Sequence, residues 1–590
     1  MTSLHLILGL TSALGLLYCG TAAPEDTGFS KRFPRSADEP TAVDCELSKW
    51  SVWTECDPCT KEKYRSRSIV RFGQYGGKHC LSALGERQRC MPDKPCDERP
   101  PDCGNDFECE SGRCIKQRLL CNVDNDCGDS SDESCDDGKD PKPVCRTDVE
   151  LSEIGRTSGD GYNVLGVGVR SNAFDNEYFN GVCDRVRDGN TRTYYRKPWN
   201  VAALVYQTRA DKTFTSEAYN DAVSTLTKIT NERTVEFGAS LSAKVTPSQY
   251  NSTTIKGKVG VDLSMKKSVE NVKEYTTKTG KKFLRVAAYV QLGTFQMRSR
   301  NFMLSPTFID DLKNLPSIYD KGEYFAFLET YGTHYAVSGS IGGKYELVYV
   351  LNSKAMEAKA IDTETVTKCL GFEGEISVAA DIFDVSANAK PKVCNTVTTS
   401  KKDQKDESAV IEKTISFVEG GKIDLAAVLD SKLSQKPEDI GTELFSKWAA
   451  SLIDSPVITK KKLEPIYSLV PVDLRDAYNK TKFLERAIED YFEEYSVCKC
   501  QPCQNGGTVV HIDGECVCKC PAEFTGLACQ TLRHEVLKKP DKPAEGNWSC
   551  WSPLPKCING VATRTRTCNH LPGQTDKAPC RGESVKTVDC

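Results

Sequence analysis

The sequence predicts a multidomain protein with a large α+β centre flanked by small disulfide-rich modules. Three observations lead there. The chain has 590 residues, room for about four domains at roughly 150 residues each. Its cysteines are clustered, with 13 in residues 45–145, 3 in 146–497 and 12 in 498–590. The cysteine-poor centre alternates like strands in some stretches and repeats like helices in others. The arms are too short to fold on apolar burial alone and need cross-links. The centre is long enough to bury a core of its own.

Composition narrows the function. With 78 basic and 82 acidic residues the net charge is -4, which lacks the basic footprint of a nucleic-acid binder. Residues 1–23 read as a secretory signal, apolar over Leu4–Leu17 and then small at Gly20, Ala22 and Ala23. Beyond it no apolar run approaches ~18 residues, so no ordinary transmembrane helix is expected. Removing Cys19 with the signal leaves 29 − 1 = 28 cysteines, an even number suited to complete pairing in an oxidising compartment. Residues 24–44 form a polar leader.

The first arm opens with Cys45, Cys56, Cys59, Cys80, Cys90 and Cys96 around Trp50 and Trp53. Arg65, Arg67 and Arg71 follow at near-alternate spacing, so on extended chain they share a face and can interleave with the indoles. Residues 45–97 thus resemble a thrombospondin type-1 repeat. That likeness implies the pairs Cys45–Cys80, Cys56–Cys90 and Cys59–Cys96, and C-mannosylation at Trp50 and Trp53.

Residues 101–137 carry six cysteines and end in a crowd of acids, Asp124, Asp126, Asp129, Asp132 and Glu133. Such crowding repels itself unless a hard cation is held, and Ca²⁺ takes 6–8 oxygens. The segment resembles an LDL-receptor class A module. The likeness implies a structural Ca²⁺ bound by side chains of Asn122, Asp126, Asp132 and Glu133 and by backbone oxygens of Leu119 and Asp124. Asn122 stands where the family usually has Asp.

In the centre, Val235, Phe237, Ala239, Leu241, Ala243 and Val245 alternate with polar residues. After a polar turn the alternation resumes with Ile255, Gly257, Val259, Val261, Leu263 and Met265. Each run is ~10–11 residues, the length of a membrane-spanning β-strand. The ordinary alternative is a half-buried strand in a soluble sheet. Charges in the polar phase, pairing across a polar turn and lysine-rich flanks favour a strand with lipid on one side and water on the other. A second candidate runs from Phe372 through Ile376 and Val378, with its phase slipping near Phe383. Its return strand is either 383–389 or 409–417. Helical periodicity marks 437–454 and 473–497. Four strands cannot close around an aqueous channel, so insertion would require many copies.

Between these runs lies GEYFAFLETYGTHY, with Tyr324 six residues ahead of Tyr331, Gly332, Thr333, His334 and Tyr335. This is the signature of the membrane-attack-complex/perforin family. Residues 145–497 are therefore expected to be its pore-forming domain, a bent antiparallel sheet with helical clusters. Gly342 and Gly343 are the expected hinge, and Cys145–Cys183 and Cys369–Cys394 the expected cross-links. No nucleophile or carboxylate pairs with His334 by recognisable spacing, and no enzymatic constellation is present.

Residues 498–530 resemble an EGF-like module, which implies Cys500–Cys516, Cys503–Cys518 and Cys520–Cys529. Residues 545–590 resemble a second thrombospondin repeat with five cysteines. One spare cysteine in each suggests Cys498–Cys550. Sequons stand at Asn251, Asn479 and Asn547, and Trp548 begins a second W-x-x-W. The order of modules resembles the terminal complement components. Its local wording lies nearest the ninth-component group, with the eighth-component alpha and beta chains as the alternative. The resemblance implies a secreted protein that joins earlier components on a target membrane, polymerises with itself and perforates the bilayer. A non-lytic adhesion protein is the different-class alternative, since the arm modules are common there.

Overall fold

The computed structural model describes the chain from residue 39, apart from 97–101, 136–140, 148, 166–168, 190, 227, 230–267, 270, 277, 279, 373–374, 379–382, 387–393, 395–396, 398–408, 423–439, 513–514, 522–523, 533–546, 549, 553–560, 570–582 and 590. The segment expected to be a signal sequence, the segment expected to form the first hairpin with Val235, Phe237, Leu241, Val245, Ile255, Val259, Val261 and Leu263, and Asn251 lie outside the described residues.

The centre is built on one antiparallel sheet. β1 (Val201–Ala210) and β2 (Thr215–Tyr219) are successive lengths of one edge, both paired with β3 (Lys281–Met297). β3 pairs along most of its length with β4 (His334–Asn352). Two helices connect them, α1 (Pro306–Lys313) and α2 (Lys321–Tyr331). Ser305 caps the first with its hydroxyl on the Phe308 N–H; Asp320 caps the second on Gly322 and Glu323. A separate hairpin follows, β5 (Glu375–Val378) with β6 (Phe383–Ser386). β7 (Ile411–Ser416) and β8 (Val457–Pro465) then share the far side of β4. The apolar run at 409–417 is thus a strand of the central sheet. The hairpin partner of 375–378 is 383–386, the nearer of the two expected choices.

β3 and β4 are buried on both faces, which explains their nearly continuous apolar sequence. Leu284, Val286 and Ala288 face the main core beside Tyr345, Leu347 and Tyr349. Phe283, Val348, Val350, Ile415 and Phe417 face a second cluster, closed by Leu226, Val269, Val272 and Tyr275. Residues 222–226 and 271–273 are helical, so both described flanks of 230–267 are short helices packed on this face.

The registers of the sheet slip at several places. Three of the slips fall between Tyr206 and Arg209 on β1, between Gln291 and Gly293 on β3, and opposite Ser340 and Ile341 of β4, where β8 carries the extra residue Thr459. These residues lie opposite one another, so one irregular row crosses the sheet, and such bulges bend and twist strands. Gly342 and Gly343 lie on this row. A Cβ on Gly342 would stand 1.9 Å from the Val290 carbonyl oxygen. One on Gly343 would stand 2.7 Å from Trp448 Cζ2. Trp448 belongs to α3 (Ile440–Ser451), is fully buried, and donates its indole N–H to the Gly420 carbonyl at 2.9 Å.

α4 (Ala477–Glu494) buries Leu484, Ala487, Ile488 and Tyr491 at helical spacing. Lys480, also buried, donates its ammonium to the carbonyls of Leu312, Lys313 and Leu315 at 2.7, 2.8 and 3.0 Å. Those carbonyls end α1, where a helix leaves acceptors unpaired and carries partial negative charge.

The arms meet. Phe72 of the first arm donates its N–H to the Lys499 carbonyl at 3.2 Å, and the Gln74 side chain exchanges hydrogen bonds with the backbone of Gln501 at 3.1 and 2.8 Å. Beneath this contact Glu494 accepts from the Ile69 N–H, from Lys321 at 2.8 Å and from Lys499 at 3.1 Å. Disulfides join Cys45–Cys80, Cys56–Cys90, Cys59–Cys96, Cys145–Cys183, Cys369–Cys394, Cys498–Cys550, Cys500–Cys516, Cys503–Cys518 and Cys520–Cys529. Three more, Cys103–Cys114, Cys109–Cys127 and Cys121–Cys135, staple the acidic module.

Candidate functional site

Four strand ends converge. Lys281 pairs with Asn352, Phe283 with Tyr219, and Leu351 with Ile411. The excursions 220–280 and 353–410 therefore leave and rejoin the sheet at the same end. Both candidate insertion segments lie within them. Ile376 is buried in the main core, and its N–H donates to the Lys212 carbonyl at 2.8 Å. Val378 pairs with Phe383 across the short hairpin.

The C-terminal flank of the first excursion is latched to β7. Ser268 donates to the Ser416 carbonyl, and Lys413 to the Asn271 side chain at 2.7 Å. Beside this cluster lies a buried charge network that sequence reasoning missed. Arg285 bonds Glu346 and, at 2.7 Å, Glu217; Lys344 stands 3.1 Å from Glu346. Burial pushes the Glu217 carboxyl up, but hydrogen bonds from Tyr219 and Arg285 outweigh it and hold it below its ordinary value. The alternating positions 283, 285 and 344, 346, 348 predict that these charges share a face with Phe283 and Val348. Only the long-range pairing reveals that they meet.

The signature residues form the corner where α2 turns into β4. Tyr324 is fully buried and donates to the Pro316 carbonyl at 3.1 Å. Tyr331 donates to Asp311 at 2.7 Å. Gly332 has φ +88, and a Cβ there would lie 2.6 Å from Tyr162 backbone, so only glycine fits. The Thr333 hydroxyl accepts from the Val164 N–H at 3.2 Å and lies 2.9 Å from His334 Nδ1. Burial pushes the His334 pKa down to about 3, which makes it a neutral packed ring at physiological pH. Tyr335 donates to Glu464 at 3.2 Å.

The acidic loop is folded inward. Asp126 and Asp132 are buried, and so are Asn122 and Leu119. Asn122 donates its amide to Asp126 at 2.8 Å. Asp132 accepts from the Asp126 N–H at 2.8 Å, and Glu133 accepts from Asn122 and Val123, both at 2.9 Å. Asp126 Oδ1 is buried without a hydrogen-bond partner. Burial, with the charges of Asp124 and Asp132 beside it, pushes the Asp126 carboxyl up to about 6. A cation would answer both features, so this donor set fits a hard divalent ion. The Asp124 carboxylate points elsewhere, into a two-pronged pair with Arg196 at 2.5 and 2.6 Å.

In the first repeat Arg65 lies 5.0 Å from the Trp50 ring and 4.5 Å from that of Trp53, with Arg67 at 4.2 Å from Trp50. Arg71 does not extend this stack. It sits on a different strand, Ile69–Arg71, and pairs with Glu46 at 3.0 Å; Lys63 takes the outer place at 5.1 Å from Trp53. In the last repeat Arg566 lies 4.5 Å from Trp551. Asn547 and Trp548 form a short strand paired with Cys568–Asn569. Asn479 is exposed on the first turn of α4.

Residues 154–501 match the MAC/Perforin domain, more than half of the chain. The chain belongs to the MAC/perforin family. Residues 101–137 of this MAC/perforin protein match the low-density lipoprotein receptor domain class A, and 48–96 and 546–590 match the thrombospondin type 1 domain. It is 39% identical over 569 residues to complement component C9 of Oncorhynchus mykiss, covering 93% of this chain and 97% of that one. It is 31% identical to the complement component C8 alpha chain of Oryctolagus cuniculus, covering 98% and 99%, and 31% to the C8 beta chain of Rattus norvegicus, covering 98% and 97%. It is thus a MAC/perforin protein of the terminal complement type, a pore-forming and non-enzymatic class. Among the described residues no helix is long and apolar enough to cross a membrane.

Proposed function

We propose that this protein is secreted, joins earlier terminal complement components on a target membrane, adds to further copies of itself, and inserts two β-hairpins per chain into a shared barrel. The convergence of Tyr219, Lys281, Asn352 and Ile411 at one end of the sheet carries this reading. If 220–280 and 353–410 extend, the four strands simply lengthen, and the alternating phase of 235–265 supplies a lipid face and a wet face. Val235, Phe237, Leu241, Val245, Ile255, Val259, Val261, Leu263, Ile376 and Val378 then face lipid. Gly342 and Gly343 lie on the bulged row and serve as the hinge. Lipid demands that every backbone group be paired, so insertion proceeds only as a closed ring of many chains.

Calcium is a structural ion in this reading, held by Asn122, Asp126, Asp132 and Glu133 side chains with Leu119 and Asp124 carbonyls. Glycans on Asn479 and Asn547 and mannose on Trp50, Trp53 and Trp548 complete the secreted form. A glycan on Asn251 would travel with the hairpin tip, through the opening lumen.

The test is dye release from liposomes bearing the earlier components, combined with single cysteines carrying a polarity-sensitive dye over 255–265. The expected result is release, with Val259, Val261 and Leu263 reporting lipid while Lys258 and Asp262 report water. A uniform response along the segment would overturn the strand assignment. Absence of release would overturn the pore.

A further inference from the structure

The acidic module does not enclose a core by itself. Cys109, Ile115, Leu119 and Cys127 cluster with Tyr178 of the centre, and Trp199 and Met303 pack alongside. The contacts that seat the module run through its cation loop. Arg196 of the centre grips both Asp124 oxygens, bonds the Val182 carbonyl at 3.1 Å and lies 3.9 Å from the Phe179 ring. Its side chain and that of Asp124 are 9% and 11% exposed. Arg113 of the module donates to its own Asp126 carbonyl at 3.0 Å and to Asp175 of the centre at 2.9 Å, and reaches the Leu304 carbonyl at 3.0 Å. Arg118, beside Leu119, donates to the Asn180 carbonyl at 3.0 Å and to its side chain at 2.8 Å. Gly181 backs onto Leu119 so closely that a Cβ there would stand 2.8 Å from Leu119 Cδ2.

Three of the six ligand positions, Leu119, Asp124 and Asp126, are therefore held by residues 175–199 or by an arginine anchored there. We propose that calcium binding in this module and docking of the module on residues 175–199 form one linked equilibrium, with Arg196 as its positioning residue. This rests on the calcium reading above and is independent of pore formation.

Without a cation, Asp126 and Asp132 share a buried site and repel, so the loop loses the shape that presents Asp124 to Arg196. Arg196 in turn neutralises the Asp124 carboxylate, which leaves the Asp124 carbonyl as that residue's ligand. Two events that each favour one conformation stabilise one another equally, because coupling free energies are reciprocal. Arg196 also acts in the opposite sense, since a cation near the site repels Ca²⁺. That opposing effect is weakened by salt, and it is absent for a neutral joint residue such as Tyr178.

The experiment uses the full chain. Hydrogen exchange is measured with calcium and with EGTA, reading peptides over 119–133, 175–199, 284–290 and 345–351. Calcium affinity is measured by titration calorimetry for wild type, Tyr178→Ala, and Arg196→Gln at about 0.5 M salt. Calcium removal should speed exchange in 175–199 by about fivefold or more while 284–290 and 345–351 stay unchanged, and both variants should bind calcium at least about fivefold more weakly. If 119–133 loses protection but 175–199 does not, or if both variants bind as wild type does, the linkage is overturned and the calcium reading stands. If wild type takes up no calcium, both readings fall together.

Discussion

Glu494→Gln should open the joint between the two arms. The wild-type carboxylate is 5% exposed and receives three donors, the Ile69 N–H, Lys321 and Lys499. Glutamine keeps the shape but loses the charge, and strands two ammonium groups. Removing one partner of a fully buried ion pair costs ~3–5 kcal/mol. Lys321 and Lys499 are 15% and 21% exposed, so they recover part of their hydration, and about 2–3 kcal/mol remains. At 1.4 kcal/mol per tenfold, amide exchange in residues 67–72 should quicken by about 30- to 150-fold at pH 7. Burial raises the Glu494 pKa, but Lys321, Lys499 and the Ile69 N–H outweigh it and hold it below the ordinary 4.5. A depressed carboxyl contributes stability that is full above its unfolded pKa and is lost as pH falls through the folded one. The gap between wild type and variant should therefore persist at neutral pH and close only below about pH 4.5. Exchange within about threefold of wild type at pH 7, or a gap independent of pH, would refute the argument.

Three further outcomes follow from the geometry. Gly343→Ala forces a methyl against Leu452 and Trp448, which a packed core resists by ~1–3 kcal/mol; thermal unfolding of the centre should fall accordingly. Lys480→Met leaves the carbonyls of Leu312, Lys313 and Leu315 without their ammonium, and should destabilise α1 against α4 by ~2–4 kcal/mol, read as faster exchange in 306–316. Asp132→Ala removes a proposed ligand that also accepts the Asp126 and Cys127 N–H groups, so calcium-dependent thermal stabilisation should disappear; an unchanged calcium response would exclude Asp132 from the site.

The modules were legible because cysteine spacing and stacked side chains are local signals. Trp50, Trp53, Arg65 and Arg67 sit close in sequence, and their ladder follows from strand period alone. Arg71 broke the pattern because its strand changes partner to Glu46–Leu47, which spacing does not encode. The central sheet was harder to read. β3 and β4 are covered on both faces, so their apolar runs lack the alternation that reveals a half-exposed strand. Alternation was visible instead in 235–265, outside the described residues. β1 opens with the apolar run Val201–Tyr206 before turning polar, and β2 is only five residues long, so neither shows a regular alternation. Glycines 342 and 343 pointed to the bend, but the bend itself is a row of bulges on three strands, each displaced by its neighbour.

The buried charges show most clearly where sequence reading ends. Arg285 and Glu346 are 61 residues apart, and Arg196 and Asp124 are 72 apart. Neither pair has a local signature, and each would look like a solvated surface charge in its own segment. Only antiparallel register brings Arg285 to Glu346, and only docking of the acidic module brings Asp124 to Arg196. Both sit where one packed element meets another, at surfaces that the proposed opening would separate. The first lies beside the helices that flank 230–267, the second beneath a module seated through its acidic loop. An apolar contact at such a seam would expose hydrocarbon to water on opening, whereas a charged pair regains hydration, which offsets part of the cost of separation. Replacing the network as a whole, with apolar residues at Arg285, Glu346 and Lys344 and Gln at Glu217, should therefore leave the closed chain as stable as wild type or more so, yet slow release of the flanking helices. Calorimetry and exchange in 268–276 would separate the two effects, and a combined variant that opens as fast as wild type would show that the network serves packing alone.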